Sequence, residues 1–140
     1  MSTLTFSGTA MEHILLIEDE RDVADSVEKM LSRFGYQVIV AHDGVEGIRL
    51  FDKYPSFDCV VTGISMPKAN GNEVARYIRG SGRADTPVVA ITGCVEEAVE
   101  RGLFNLSLIK PFRIRSLISA IKSLASEPVL GSPEGQTPKC

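Results

Sequence analysis

The chain of 140 residues contains no tryptophan, only three cysteines and no surplus of basic residues. Its 15 Lys and Arg residues are outnumbered by 18 Asp and Glu residues, which gives a net charge of −3. A chain without a basic patch is not expected to bind nucleic acid directly. The sequence has no apolar run long enough to span a membrane. Its opening residues, MSTLTFSGTA, lack the basic and apolar regions of a secretory signal.

The three cysteines, Cys59, Cys94 and Cys140, show no metal-ligand spacing, which is typical of a protein in the reducing cytoplasm. What the sequence does contain is 44% hydrophobic residues, enough to build the core of one domain. We expect a flexible extension at residues 1–11, a folded domain at 12–125 and a flexible tail or linker at 126–140. The tail is assigned because it is rich in proline and glycine.

Five short apolar runs predict strands buried on both faces of a sheet. They are HILLI (13–17), QVIVA (37–41), CVVT (59–62), VVAIT (88–92) and LSLI (106–109). Helical spacing of apolar residues follows each run. The helical segments run from Asp22 to a cap at Gly35, from a cap at Asp43 to Pro55, over 72–79, around 96–101, and through Leu117, Ile118, Ile121 and Leu124.

Strands that alternate with helices predict βαβ units with right-handed crossovers. The expected fold is α/β, a doubly wound five-stranded parallel sheet of the flavodoxin-like kind. Its strand order would be 2-1-3-4-5, with helices on both faces. In such a sheet, ligands bind beyond the carboxyl ends of the strands.

Polar residues stand at those carboxyl ends. The first strand leads to Glu18 and Asp19, the fourth ends at Thr92, and the fifth leads to Lys110. Paired carboxylates suit a hard cation such as Mg²⁺, whereas a lysine and a threonine suit phosphoryl oxygens. The third strand is the exception, because the residue that follows CVVT is Gly63, which has no side chain.

Four sequence pieces in this order carry a resemblance to a known family. They are ILLIEDE, FDCVVTGISMPKANG, VVAITG and IKPF. With them, the chain over about residues 12–125 resembles the receiver domain of bacterial two-component response regulators. The resemblance implies a signalling module rather than an enzyme. It also implies contact with a histidine kinase, a phosphotransfer protein or a fused output domain.

The resemblance also implies roles for single residues. Glu18 and Asp19 would hold Mg²⁺, with the backbone carbonyl of Ser65 as a further ligand. Thr92 would be the switch hydroxyl and Lys110 the lysine that contacts the phosphoryl group. The aspartate that accepts the phosphoryl group in this family falls on Gly63, so we expect the magnesium site to be weak or lost.

Neighbouring residues do not replace the missing carboxylate. Asp58 lies near the start of the strand, at roughly 3.3 Å per residue from its end, and Thr62 points to the opposite face. Two other positions depart from the family. Ser107 replaces the usual aromatic residue of the fifth strand, and the span from Thr92 to Lys110 is short. We therefore predict a pseudo-receiver that acts by phosphorylation-independent protein–protein contact.

Several alternatives stay open on the sequence alone. The chain could accept a phosphoryl group on another residue, or Gly63 could be an engineered Asp→Gly change. The fold could instead be a small-molecule binder, such as a flavin carrier. Locally, the acids could only cap the first helix, Lys110 could form a structural ion pair with Asp19, Thr92 could be a plain strand residue, and Gly63 could be required by the backbone.

Overall fold

The computed structural model describes residues 12–93, 99–100 and 102–126. The predicted extension at 1–11 and residues 127–140 of the predicted tail lie outside the described residues. The elements, in chain order, are β1 (His13–Ile17), α1 (Arg21–Arg33), β2 (Gln37–Ala41), α2 (Gly44–Lys53), β3 (Cys59–Gly63), α3 (Gly71–Arg79), β4 (Val88–Thr92), β5 (Leu106–Ile109) and α4 (Ile114–Ser126).

The five strands form one sheet in the order β2-β1-β3-β4-β5, and every neighbouring pair is parallel. This order confirms the predicted doubly wound architecture. The third strand is one residue longer than predicted, because the backbone of Gly63 still pairs with Ile91 of β4. All carboxyl ends lie at one edge of the sheet, so the residues that follow β1, β3 and β5 share that edge.

Alternate residues of the central strands face opposite layers. On β1, Ile14 and Leu16 pack in a cluster with residues of α1 and α4. Leu15 and Ile17 pack in a second cluster with residues of α2 and α3. The sheet is therefore covered on both faces, as its nearly uninterrupted apolar strands predict.

Local signals in the sequence set the helix ends. The Asp43 side chain accepts a hydrogen bond from the backbone N–H of Glu46 at 2.8 Å and caps α2 as predicted. Asn70 and Glu73 form a capping box at the start of α3. After α1, Gly35 adopts φ of 95°, the left-handed conformation that glycine favours just past a helix end.

Most of the fourth predicted helical segment, around 96–101, lies outside the described residues. These are residues 96–98 and 101, whereas Val99 and Glu100 have no regular secondary structure. In the described ranges, no helix combines the length and the apolar character that crossing a membrane demands.

Candidate functional site

A cleft of about 160 Å³ opens at the carboxyl edge of the sheet. β1 leads into it with three acidic residues, β3 forms its floor, and β5 supplies an amine. The residues that line it are Glu18, Asp19, Glu20, Gly63, Ile64, Ser65, Ile91, Gly93 and Lys110. The position agrees with the rule that ligands of such sheets bind beyond the strand ends.

Glu18 is the buried acid of the cleft, with 1% of its surface exposed. Its Oε2 accepts a hydrogen bond from the backbone N–H of Glu20 at 3.0 Å. Burial raises the pKa of the Glu18 carboxyl, and this outweighs the opposing effects of that hydrogen bond and of the nearby Lys110. The carboxylate is thus held in place at a cost in desolvation.

Lys110 reaches across the cleft to the acids that follow β1. Its Nζ lies 3.3 Å from Oε1 of Glu18 and 3.5 Å from Oε1 of Glu20. The alternative of an ion pair between Lys110 and Asp19 is therefore wrong. Among the described ion pairs, the ammonium pairs with Glu18 and Glu20, the two acids that flank Asp19. Glu20 is the residue that sequence reasoning missed. Its only signal was its place as the third acid in Glu18-Asp19-Glu20.

The acids do not serve as a cap of α1. Glu20 occupies the position before the helix, and no side chain there accepts a capping hydrogen bond. Glu18 instead directs one oxygen to Glu20 and the other to Lys110. The strand end therefore builds a charged cleft rather than a helix start.

Gly63 lies at the end of β3 and is buried. Its φ lies outside the left-handed region, so the backbone does not require glycine there. A Cβ built on it would meet nothing closer than Met66 Sδ at 3.6 Å and would lie 3.8 Å from Oε1 of Glu18. These are ordinary contacts, so the interpretation of Gly63 as a structurally required glycine is not supported.

The loop after β3 is fixed against its surroundings. The backbone N–H of Gly71 donates to the carbonyl of Ile64 at 2.8 Å and closes the loop. Lys68 has φ of 73° and places its Nζ 3.7 Å from Oδ2 of Asp43, at the start of α2. The floor of the cleft is thereby tied to both α2 and α3.

The remaining predicted residues are placed differently. Ser65 is exposed and lines the cleft. Thr92 is buried and is not among the lining residues, although its carbonyl accepts the N–H of Lys110 at 2.9 Å. Ser107 is exposed on β5, where it pairs with Ala90. The cleft thus gathers five of the predicted residues: Glu18, Asp19, Gly63, Ser65 and Lys110.

A larger depression of about 500 Å³ lies at the opposite, amino edge of the sheet. Asp58 lines it, and its Oδ2 accepts the backbone N–H of His13 at 2.8 Å. This position confirms that Asp58 cannot substitute for a carboxylate at Gly63. Asp58, Arg83 and Asp85 also line this depression, but no ion pair among them is described. In the cleft, Lys110 pairs with two acids, so the smaller opening is the better candidate site.

The described residues fit a metal ion poorly. No group of three His, Cys, Asp or Glu side chains within them is arranged to hold one. Oε2 of Glu18 accepts the hydrogen bond from Glu20, whereas the buried Oε1 accepts no hydrogen bond and lies 3.3 Å from the ammonium of Lys110. A cation at this place would have to displace or tolerate that positive charge.

Comparison with known proteins agrees with the fold. The response regulator receiver domain family matches residues 14–122. Response regulator MprA of Mycobacterium tuberculosis is 33% identical over 117 residues, which is 79% of this chain and 49% of that protein. Transcriptional regulatory protein CpxR of Escherichia coli K12 is 33% identical over 119 residues, which is 81% of this chain and 49% of that protein.

Solved structures of receiver domains and response regulators have the same fold as this chain. Response regulator TrrA from Thermotoga maritima, in complex with Mg(2+)-BeF, has a TM-score of 0.74 at 26% identity and covers 81% of this chain and 99% of its own. The receiver domain of a sensor histidine kinase from Pseudomonas aeruginosa, with magnesium in its active site cleft, has a TM-score of 0.77. This receiver domain is 24% identical and covers 84% of this chain and 100% of its own. At that identity, the similarity shows the fold alone.

The chain therefore belongs to the response regulator receiver domain family of two-component signalling. It spans about half the length of the curated relatives that it matches.

Proposed function

We propose that this receiver domain signals by protein–protein contact and does not accept a phosphoryl group at residue 63. The observation that carries the proposal is the position of Gly63, which ends β3 on the floor of the acidic cleft. Covalent transfer needs an oxygen that attacks phosphorus, and glycine has none. Because neither the backbone nor the packing requires glycine, its presence is better explained by function than by structure.

The ion pairs of Lys110 support the same proposal. An ammonium that stabilises a phosphoryl group must be free to contact its oxygens. Here Nζ lies between Glu18 and Glu20, at 3.3 and 3.5 Å from their carboxylates. The ammonium thus already has two carboxylate partners in the absence of a transferred group.

We assign any magnesium affinity to Glu18, Asp19 and the Ser65 carbonyl, and expect it to be weak. A carboxylate at residue 63 would be the missing negative ligand, and Lys110 competes for Glu18. We propose Thr92 as the switch position and Lys110 as the position that contacts a phosphoryl group. The buried position of Thr92 outside the cleft lining argues for a limited role of its hydroxyl.

The partner of such a domain would be a histidine kinase, a phosphotransfer protein or an output domain. The match to half of each longer regulator supports an output domain in the same chain or in a second protein. We propose that this chain itself makes no direct contact with nucleic acid, because its charge is −3. We also propose that residues 12–125 form the receiver domain and that it is located in the cytoplasm.

The test is intact-mass spectrometry after incubation with acetyl phosphate and Mg²⁺. The unmodified chain would be compared with a Gly63→Asp variant and with Gly63→Asn, which adds the same bulk without a carboxylate. We expect a gain of one phosphoryl mass in the aspartate variant alone. A gain in the unmodified chain would overturn the proposal.

In that case the modified residue would be mapped by peptide fragmentation. Ser65 is the first candidate, because its exposed hydroxyl lines the cleft. Thr62 is disfavoured, because its buried Oγ1 donates to the carbonyl of Gly63 at 2.9 Å. Binding of a small molecule in the cleft is also disfavoured, because its volume of about 160 Å³ is below the usual range of roughly 300–1,000 Å³ for ligand pockets.

A further inference from the structure

The sequence contains a single Asn-Gly pair, Asn70-Gly71, and it lies where α3 begins. In such a pair the backbone nitrogen of the glycine can attack the side-chain carbonyl carbon of the asparagine, because glycine has no side chain to hinder the approach. The other asparagines, Asn72 and Asn105, are each followed by a residue with a side chain. Asn70 is therefore the asparagine of this chain that is most prone to spontaneous modification.

The reaction needs only water as a partner. The nitrogen of Gly71 forms a bond to Cγ of Asn70, the bond from Cγ to Nδ2 breaks, and ammonia leaves with the proton of the Gly71 amide. Water then opens the resulting succinimide at either of its carbonyl groups. Opening at one carbonyl gives aspartate. Opening at the other gives isoaspartate, whose main chain is longer by a methylene group.

In the folded chain, hydrogen bonds keep the reacting groups apart. Oδ1 of Asn70 accepts the backbone N–H of Glu73 at 2.9 Å, and the N–H of Asn70 donates to Oε1 of Glu73 at 2.8 Å. The N–H of Gly71 donates to the carbonyl of Ile64 at 2.8 Å. Ring closure requires the Asn70 side chain to leave Glu73 and the Gly71 nitrogen to give up the proton that it donates to Ile64. The first turn of α3 must therefore open before the reaction can proceed.

The two products differ in how they fit the folded chain. A Cβ built on Gly71 would lie 2.1 Å from the carbonyl oxygen of Gly63 and 2.9 Å from Cδ1 of Ile64. Close packing of this kind leaves no room for an additional methylene group in the main chain. Aspartate leaves the main chain unchanged and is itself a preferred residue at the start of a helix. Only the isoaspartyl product should disturb the packing of α3 against Gly63 and Ile64, both of which line the cleft.

We propose that Asn70 is a site of spontaneous deamidation, that the capping box of α3 controls its rate, and that the isoaspartyl product distorts the floor of the cleft. Local opening of the first turn of α3 is thereby coupled to an irreversible chemical change beside the site. The modification does not require phosphoryl transfer.

Peptide mapping by mass spectrometry, during incubation of the folded chain at neutral pH, tests the site. Conversion of Asn70 adds the mass difference between an amide and an acid. Isomerisation at the related pair Asp43-Gly44 leaves the mass unchanged, so the two are distinguished. The same chain unfolded in urea is the reference. We expect conversion of Asn70 in the folded chain to be at least about tenfold slower than in urea. Equal rates in the two states would overturn the proposal.

Variants of Glu73 test the capping box. Glu73→Ala removes one of its hydrogen bonds, and we expect conversion of Asn70 to become roughly three- to tenfold faster, the effect of losing one ordinary hydrogen bond. Glu73→Gln keeps an acceptor at this position of the box and is expected to restore the slow rate. The matched control is Asp25→Ala, which removes an exposed acid of α1. Conversion in Glu73→Ala at the rate of the unmodified chain would contradict control by the capping box.

Low concentrations of urea distinguish local opening from loosening of the whole fold. Below the unfolding transition of the unmodified chain, the conversion rate should rise less steeply with urea than the equilibrium constant for unfolding does. The reason is that opening of one helical turn exposes less surface than unfolding of the domain. An equally steep dependence would mean that Asn70 reacts only in the unfolded chain, and the proposed gate would be lost.

The effect of the product is measured on the isoaspartyl chain, separated by ion-exchange chromatography. Its matched control is Asn70→Asp, which adds the same charge without lengthening the main chain. We expect Asn70→Asp to melt close to the unmodified chain and the isoaspartyl chain to melt lower by about 4 °C or more. Equal melting temperatures would overturn the distortion of the cleft floor. Each of these outcomes leaves the phosphorylation test of Gly63 unaffected, so the two proposals fail separately.

Discussion

The Cα of Gly71 packs directly against the carbonyl oxygen of Gly63. A Cβ added to Gly71 would lie 2.1 Å from that oxygen, closer than any real contact. A Cβ added to Gly63 would meet nothing closer than Met66 Sδ at 3.6 Å. The two glycines that flank the loop between β3 and α3 therefore differ in what they do. Gly63 leaves room in the cleft, and Gly71 lets α3 approach the strand end.

This contrast predicts opposite effects of alanine. Gly63→Ala should stabilise the fold by roughly 0.4–1 kcal/mol, because it restricts the unfolded chain at a position that alanine can adopt. Gly71→Ala should destabilise the fold by about 1–3 kcal/mol, because the methyl group would push the backbone apart. Urea unfolding followed by circular dichroism measures both. Equal effects of the two substitutions would contradict the packing described.

Gly63→Asp should have a cost that magnesium removes. The new carboxylate would start from a Cβ 3.8 Å from Oε1 of Glu18, so two like charges would share a partly dry cleft. We expect a lower melting temperature than for Gly63→Asn without divalent ions. Addition of Mg²⁺ should raise it in the aspartate variant alone. An equal response of both variants to Mg²⁺ would argue against a role of the carboxylate as ligand.

Cys59 should be unreactive until the protein unfolds. The residue is 1% exposed, and burial, reinforced by the charges of Glu12 and Asp58, raises the pKa of its thiol to about 12. Because the thiolate is the reactive form, iodoacetamide should not label Cys59 in the native protein at neutral pH. Peptide mapping identifies this cysteine separately from the other two. Rapid native labelling at Cys59 would show that β3 opens locally.

The fold could be predicted because its signals are local. Buried parallel strands appear as short apolar runs, and β1, β2, β4 and β5 have the predicted bounds. The extension of β3 to Gly63 could not be predicted from side chains, because it depends on backbone pairing with Ile91.

The site was predictable only in part. Parallel strand ends meet at one edge, so Glu18, Gly63 and Lys110 were expected together, and they line one cleft. The partner of Lys110 depends on side-chain conformation and on the turn after β1, so Glu20 could not be chosen over Asp19. On the sequence alone, Arg79 resembles a solvated surface charge. In the structure its guanidinium donates to the carbonyls of Leu103, Ala84 and Thr86, in the loops that precede β5 and β4.

Glu18 gives the pH dependence of stability a definite sign. Its folded-state pKa is raised above the ordinary 4.5, chiefly by burial. Below 4.5 the carboxyl is protonated in both the folded and the unfolded chain, so the stability associated with the raised pKa is fully present. As pH rises through the folded-state pKa, the fold must hold a buried charge, and that stability is lost. The free energy of unfolding of Glu18→Gln, relative to the unmodified chain, should therefore increase with pH over this interval and then level off.

A second variant, Lys110→Met, removes the ammonium that lowers the pKa of Glu18. Without it the folded-state pKa should rise further, and the loss of stability should extend to higher pH. Urea unfolding between pH about 4 and about 8 measures the three curves. Parallel curves for Glu18→Gln and the unmodified chain would mean that Glu18 does not titrate with a raised pKa. The desolvation cost inferred for the Glu18 carboxylate would then be wrong.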